Sequence, residues 1–313
     1  VFIADLFREA GLPDGVLNVV HGDKVAVDAL LESPVVKAVS FVGSTPIAKY
    51  IYEKAAANGK RVQALGGAKN HMLVMPDADL KVTADAAISA AYGSAGERCM
   101  AVSVLVAVGD VADKLVPELT SRIADLKIGD GTDPSSEMGP LITAEAKARV
   151  ESYVAGAEAE GATVVVDGRE AKFEGNGFFT CVSLLDHVKT DSKVYLEEIF
   201  GPVLAIVRVN SYEEGLQLIN DNQFGNGTAI FTRDGGTARS FEFDVEAGMV
   251  GINVPIPVPV GAFSFGGWKD SLFGSSHIYG PESIEFYTRS KVVTTKWPNP
   301  DQSKIDLGFP SNS

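Results

Sequence analysis

Apolar runs of strand length recur along this chain between amphipathic stretches of roughly ten to fifteen residues, and that alternation restricts the fold more than any other feature. The runs are "VLNVV" (residues 16–20), "VKAVSFVG" (36–43), "RVQAL" (61–65), "VSVLVAV" (102–108), "VLAIVRV" (203–209), "GTAIFT" (227–232) and "GMVGIN" (248–253). Between them lie helical patterns. Phe2, Leu6 and Phe7 share one side of an opening helix, "KVAVDALLE" makes a second, and Ile47, Tyr50 and Ile51 mark a third. Leu80, Ala84, Ala87, Ile88 and Ala91 form a stripe that stops just before Cys99, and Leu115, Leu119 and Ile123 form another, which Pro117 weakens or kinks,. "SYEE" at 211–214 is a capping box that starts a later helix,. Strand, helix, strand in this rhythm predicts βαβ units and a parallel sheet, hence an α/β fold. The Pro-rich "VPIPVPVG" at 254–261 is a loop, because proline cannot donate to a central ladder,.

At 313 residues the chain is long enough for two domains,. Its net charge of −14 excludes the clustered Lys and Arg surface that nucleic acid requires,. Cys99 and Cys181 are too few for a disulfide framework, and neither they nor His21, His71, His187 and His277 stand at metal-ligand spacing, so no metal site is expected,. A reduced, cytoplasmic setting follows, with no membrane partner. The chain opens directly on a helical pattern, without an initiator Met, and reads as a fragment lacking an N-terminal part.

Three segments carry candidate chemistry, each with a plainer reading beside it. Gly43, Ser44 and Thr45 end a strand and open a helix, which suits a phosphate on the N–H groups and the Ser44 hydroxyl, or simple N-capping,. Cys99 is a nucleophile or a small buried hydrophobe; Arg98 favours its thiolate only if the two side chains approach,. Glu197 to Pro202, "EEIFGP", offers acids and an aromatic at a tight turn, a usable clamp for a ribose and ring, or merely solvated acids.

Taken in order, "SFVGSTPIAK", "GSAGERCMA", "EEIFGPV" and "FSFGGWKDSLFG" resemble the pyrophosphate turn, nucleophile segment, nicotinamide-ribose segment and late pocket segment of the aldehyde dehydrogenase superfamily. The resemblance implies an incomplete Rossmann-like cofactor domain at 1–67, an α/β catalytic domain at 68–270, a return segment with an oligomerisation strand at 271–298, and a tail at 299–313. It further implies Cys99 as the thiol that attacks an aldehyde, Glu198 and Phe200 as nicotinamide-ribose and ring contacts, Ser44 as a pyrophosphate contact, and Phe265 as a pocket aromatic. Beside it, Lys69, Asn70 and His71 serve coenzyme A, the pocket or a strand-entry turn, and Cys181, where the resemblance places no catalytic role, reads as structural.

The departure from the family pattern is informative. Hydrolytic members carry "ELGGK", whose Glu activates the deacylating water 34 residues before the cysteine; here that position is Leu65, in "ALGGAKNH". Without that base a thioester resists water, and a thiol acceptor becomes the better nucleophile. With "GERCMA" and "INVPIPVPV", this resembles the CoA-acylating methylmalonate-semialdehyde branch, which implies Arg98 as the ligand of a substrate carboxylate, NAD as cofactor, coenzyme A as cosubstrate, loss of carbon dioxide, and a homo-dimer or homo-tetramer. Two rivals stand beside it: a CoA-independent dehydrogenase using another base, and a homologue that keeps subunit-contact surfaces without turnover.

Overall fold

The structure, a computed structural model, describes every residue except 172, 174–176, 298, 303, 304, 306 and 309–313. Helices α1 (Phe2–Glu9) and α2 (Lys24–Glu32) lead into a βαβ unit of β1 (Ala38–Val42), α3 (Thr45–Ala57) and β2 (Arg61–Leu65). β1 and β2 run parallel, with Ala38 opposite Arg61 and Val42 opposite Leu65. Ala48, Ile51 and Ala55, at helical spacing, bury one face of α3 against Leu31, Val62 and Ala64,.

The chain then builds a larger layer from β3 (Asn70–Val74), α4 (Leu80–Tyr92), β4 (Val102–Val108), α5 (Val111–Ala124), α6 (Ala144–Ala157), β5 (Thr163–Val166), β6 (Ser183–Asp186), α7 (Lys193–Leu196), β7 (Val203–Val209), α8 (Tyr212–Asp221), β8 (Phe224–Gly225), β9 (Gly227–Phe231), α9 (Gly235–Asp244) and β10 (Met249–Ile252). Its seven-stranded sheet has the order β10-β9-β3-β4-β7-β6-β5. Every pairing in it is parallel except that of β5 with β6 at the edge. β3, β4, β7 and β9 are covered on both faces, which is why they read as continuous apolar runs rather than alternating ones,.

After β10 the chain returns. β11 (Trp268–Lys269) pairs with β8, β12 (Leu272–Phe273) adds antiparallel to β2, and α10 (Gly280–Tyr287) follows. The small sheet is thus closed by a strand from the far end of the chain. Its β1 and β2 point their carboxyl ends at the amino ends of β3, β4, β7 and β9, and the site lies in that seam.

Three expectations are revised. Residues 16–20 form no strand: Val16, Leu17, Val19 and Val20 are exposed, and β-propensity expresses itself only against a neighbouring strand or a covered face,. α5 runs unbroken through Pro117, which is exposed, so water can reach the Asp113 carbonyl that the ring leaves unpaired,. The capping box closes one residue early: Ser211 Oγ accepts from the Glu214 N–H at 3.2 Å, but Glu214 Oε2 accepts from the Asn210 N–H at 2.7 Å. Residues 291–297 are exposed and pair with no strand among the described residues; Pro298 and much of the tail lie outside the described residues. No helix among the described residues is long and apolar enough to cross a membrane.

Candidate active site

Asp79 caps α4, accepting from the N–H groups of Lys81 and Val82, and the helix ends at Tyr92. The turn that follows puts Ser94 and Ala95 in the left-handed region, at φ 52° and 55°, and swings Cys99 to the amino end of β4. Two asparagines then fix the main chain of Cys99. Its carbonyl accepts from Asn70 Nδ2 and from Asn226 Nδ2, both at 2.9 Å. Asn70 also donates to the Ala101 carbonyl at 2.9 Å and accepts from the Gly227 N–H at 3.0 Å. One buried amide therefore ties β3, β4 and β9 together beneath the thiol. Asn226 carries no signal in the sequence, because its partner lies 127 positions away.

Cys99 is exposed, so the buried-hydrophobe alternative does not describe it. Burial of the sulfur still pushes the thiol pKa up, and the Glu198 charge adds to this, while the N–H groups of Cys99 and Met100 oppose it,. The Arg98 side chain turns toward Ser94 and Gly93. Its Nε donates to Ser94 Oγ at 3.0 Å, and its guanidinium lies along Gly93. Arg98 thus borders both the Cys99 cleft and a neighbouring cavity of about 680 Å³.

Glu198, just before β7, lines the same cleft with Phe200. Its Oε1 accepts from the Ala68 N–H at 3.0 Å, and burial raises its pKa. A Cβ on Gly67 would stand 2.6 Å from Glu198 Oε2 and 3.0 Å from Thr45 Oγ1, so only glycine leaves that cradle open. Phe200 sits at φ 52°, a strained setting for a bulky residue, and the residue is 39% exposed,. Ser44 precedes α3 without using its hydroxyl as a cap, while Thr45 Oγ1 accepts from the Gly67 N–H at 2.8 Å. Phe265 packs with Leu65, Met100 and Met249, so it reaches the cleft through Met100, the neighbour of Cys99.

Lys69, Asn70 and His71 stand where the chain enters β3, and all three are buried. Lys69 Nζ donates to the carbonyls of Val194 at 2.6 Å and Glu197 at 2.7 Å, holding the segment that presents Glu198. Burial lowers its pKa to about 7, against the pull of Glu198 and Glu197. A neutral amine still has two N–H groups for the two carbonyls. Because the folded pKa is depressed, the unfolded chain binds the extra proton between about pH 7 and 10, and stability rises with pH there,. Relative to Lys69→Met, the wild type is expected to gain a few kcal/mol over that window in denaturant unfolding. A difference that stays flat would mean that the two glutamates keep Lys69 charged throughout.

A family model described as "Aldehyde dehydrogenase family" matches residues 1–293. The chain belongs to the aldehyde dehydrogenase family. Malonate-semialdehyde dehydrogenase of Pseudomonas aeruginosa is 59% identical over 315 residues, covering 99% of this chain and 63% of that protein. The solved methylmalonate-semialdehyde dehydrogenase of Oceanimonas doudoroffii superposes with a TM-score of 0.94 at 56% identity, over 96% of this chain and 62% of the other. An aldehyde dehydrogenase of Mycobacterium tuberculosis, solved with NAD+, gives a TM-score of 0.87 at 30% identity, over 92% of this chain and 59% of its own. The chain therefore spans about three fifths of the length of the aldehyde dehydrogenases it matches. Its fold is theirs, an α/β aldehyde dehydrogenase fold over the shared length.

Proposed function

We propose that this chain carries the catalytic thiol and part of the cofactor site of an NAD-dependent, CoA-acylating dehydrogenase for malonate or methylmalonate semialdehyde. The observation that carries the reading is the wall beside the nucleophile. Leu65, Met100 and Phe265 form one apolar cluster, and Glu198 is the only carboxylate among the described residues lining the Cys99 cleft. A thioester formed there meets no base dedicated to water, so the more acidic thiol of CoA is the favoured acceptor. The names of the Pseudomonas and Oceanimonas relatives support the substrate class.

The cradle that a Gly67 Cβ would fill fits a cofactor. Ser44, at the start of the thirteen-residue α3, would hold the pyrophosphate, Glu198 Oε2 the ribose hydroxyls, and Phe200 would pack beside the ring,. A nicotinamide bound there supplies a hydride acceptor.

The remaining chemistry belongs to the chain. The sulfur of Cys99 adds to the aldehyde carbon and its proton passes to solvent. The Cys99 N–H, which lies against the sulfur, donates to the oxygen as it becomes negative,. Departure of the hydride leaves an acyl thioester on Cys99. Arg98 holds the substrate carboxylate until it leaves as carbon dioxide; the thioester carbonyl takes up the electron pair, and a proton then adds to the adjacent carbon. The CoA sulfur displaces Cys99, releasing acetyl-CoA or propionyl-CoA. In this reading residues 1–67 complete a cofactor domain, 68–270 form the catalytic domain, and 271–298 return to pair with another subunit in a cytoplasmic homo-oligomer.

A second reading has one observation in its favour: Glu198 is close enough to raise the pKa of Cys99, and its own raised pKa suits a base for water,. NADH formation from malonate semialdehyde by the native-length protein, with and without CoA, separates the two. Acetyl-CoA and carbon dioxide formed only with CoA is the expected result. Free acid formed at an undiminished rate without CoA assigns deacylation to water and removes the branch assignment.

A further inference from the structure

Gly93 raises a question that its backbone does not answer. At φ −53° and ψ 133° it sits in the ordinary extended region open to any residue, so no conformational need selects glycine,. Nor does the end of α4 require it, since the bond made there is from its N–H to the Ser89 carbonyl, which most residues could make.

The answer lies in space. A Cβ built on Gly93 would stand 2.7 Å from Arg98 Nη1, 2.9 Å from Cζ and 3.1 Å from Nη2. The guanidinium occupies the volume that any other side chain would claim. The contact is with the far end of a flexible side chain, so a larger residue would not break the fold; it would push the arginine elsewhere.

Where Arg98 now lies is chemically specific. Ser94 Oγ takes its Nε–H at 3.0 Å, and Arg98 forms no salt bridge among the described residues, which leaves the two terminal nitrogens without a carboxylate. It borders a cavity of about 680 Å³ that adjoins the Cys99 cleft. Of the acids on that cavity, Asp85 is already paired with Arg122, which Glu118 also binds at 2.8 Å, and Glu137 accepts from the Lys127 N–H; neither these nor Asp125 forms a salt bridge with Arg98 among the described residues. An aligned and unpaired guanidinium suits a carboxylate held through two parallel N–H groups.

We infer that Gly93 is a specificity-determining residue: its missing side chain lets Arg98 lie along the main chain, in position to receive a carboxylate carried by the aldehyde. The inference rests on Arg98 as the carboxylate ligand and adds what sets its position. Gly93 acts through Arg98 and touches no reacting atom.

The test compares malonate semialdehyde with propanal, an uncharged aldehyde of the same chain length, in the native-length protein carrying Gly93→Ala, Gly93→Ser or Arg98→Gln. Both Gly93 variants are expected to lower kcat/KM for the carboxylated aldehyde on the order of 10- to 100-fold, mainly through KM, as loss of charge-assisted hydrogen bonds does. Turnover of propanal should be little changed. If Arg98→Gln collapses the preference and the Gly93 variants keep it, the inference is wrong and Arg98 stands. Equal losses on both aldehydes in the Gly93 variants would also overturn it, since the turn rather than the guanidinium would then be disturbed. If no variant changes the preference, the reading of Arg98 fails as well.

Discussion

Replacing Cys99 with alanine is expected to reduce aldehyde-dependent NADH formation by a factor on the order of 10⁴ or more, as deletion of a covalent nucleophile does elsewhere. Stability should hardly move, because Cys99 is exposed and its position is held by its carbonyl rather than its side chain,. Serine should rescue little. A hydroxyl needs a base to become nucleophilic, and the cleft offers none except Glu198, which the proposed cofactor contact already engages. Steady-state NADH kinetics with circular dichroism as a folding control decides it. Residual activity of a few per cent in Cys99→Ala would remove Cys99 as the nucleophile.

Leu65→Glu should open a second route. Leu65 is 3% exposed among Met100, Met249 and Phe265, so a carboxylate there is poorly solvated and its pKa is raised toward neutrality,. That is the range in which a carboxylate activates water well, and release of free acid without CoA is expected to rise by roughly 10²- to 10⁴-fold. Leu65→Gln, similar in size and without basicity, should show no such gain. A folded Leu65→Glu protein that still yields no free acid would mean that something other than the missing base protects the thioester.

The sheet was readable wherever burial on both faces left a continuous apolar run, as in "VSVLVAV" and "VLAIVRV". It was unreadable where a strand depends on its neighbour. "VLNVV" has the composition without the partner, whereas β12, only Leu272 and Phe273, is a strand because β2 stands beside it. The site divides in the same way. Cys99, Glu198 and Phe200 were legible from their segments, and they line one cleft. The Asn70 and Asn226 clamp and the Lys69 clasp were not, since their partners are 29 to 128 positions away and an isolated polar residue does not announce its acceptor. Nor does adjacency reveal direction: Arg98 and Cys99 are neighbours in sequence, yet the guanidinium lies with Ser94 and Gly93.

If Cys99 turns over as proposed, its raised pKa bears on how the molecule ages between turnovers. Peroxide and disulfides react with thiolate far faster than with thiol. An idle site that keeps its sulfur protonated therefore resists oxidation despite its exposure, and a positively charged ring arriving beside it would shift the balance toward thiolate,. On the proposed function the nucleophile is armed by what binds next to it, so its vulnerable form is present chiefly when there is work for it to do.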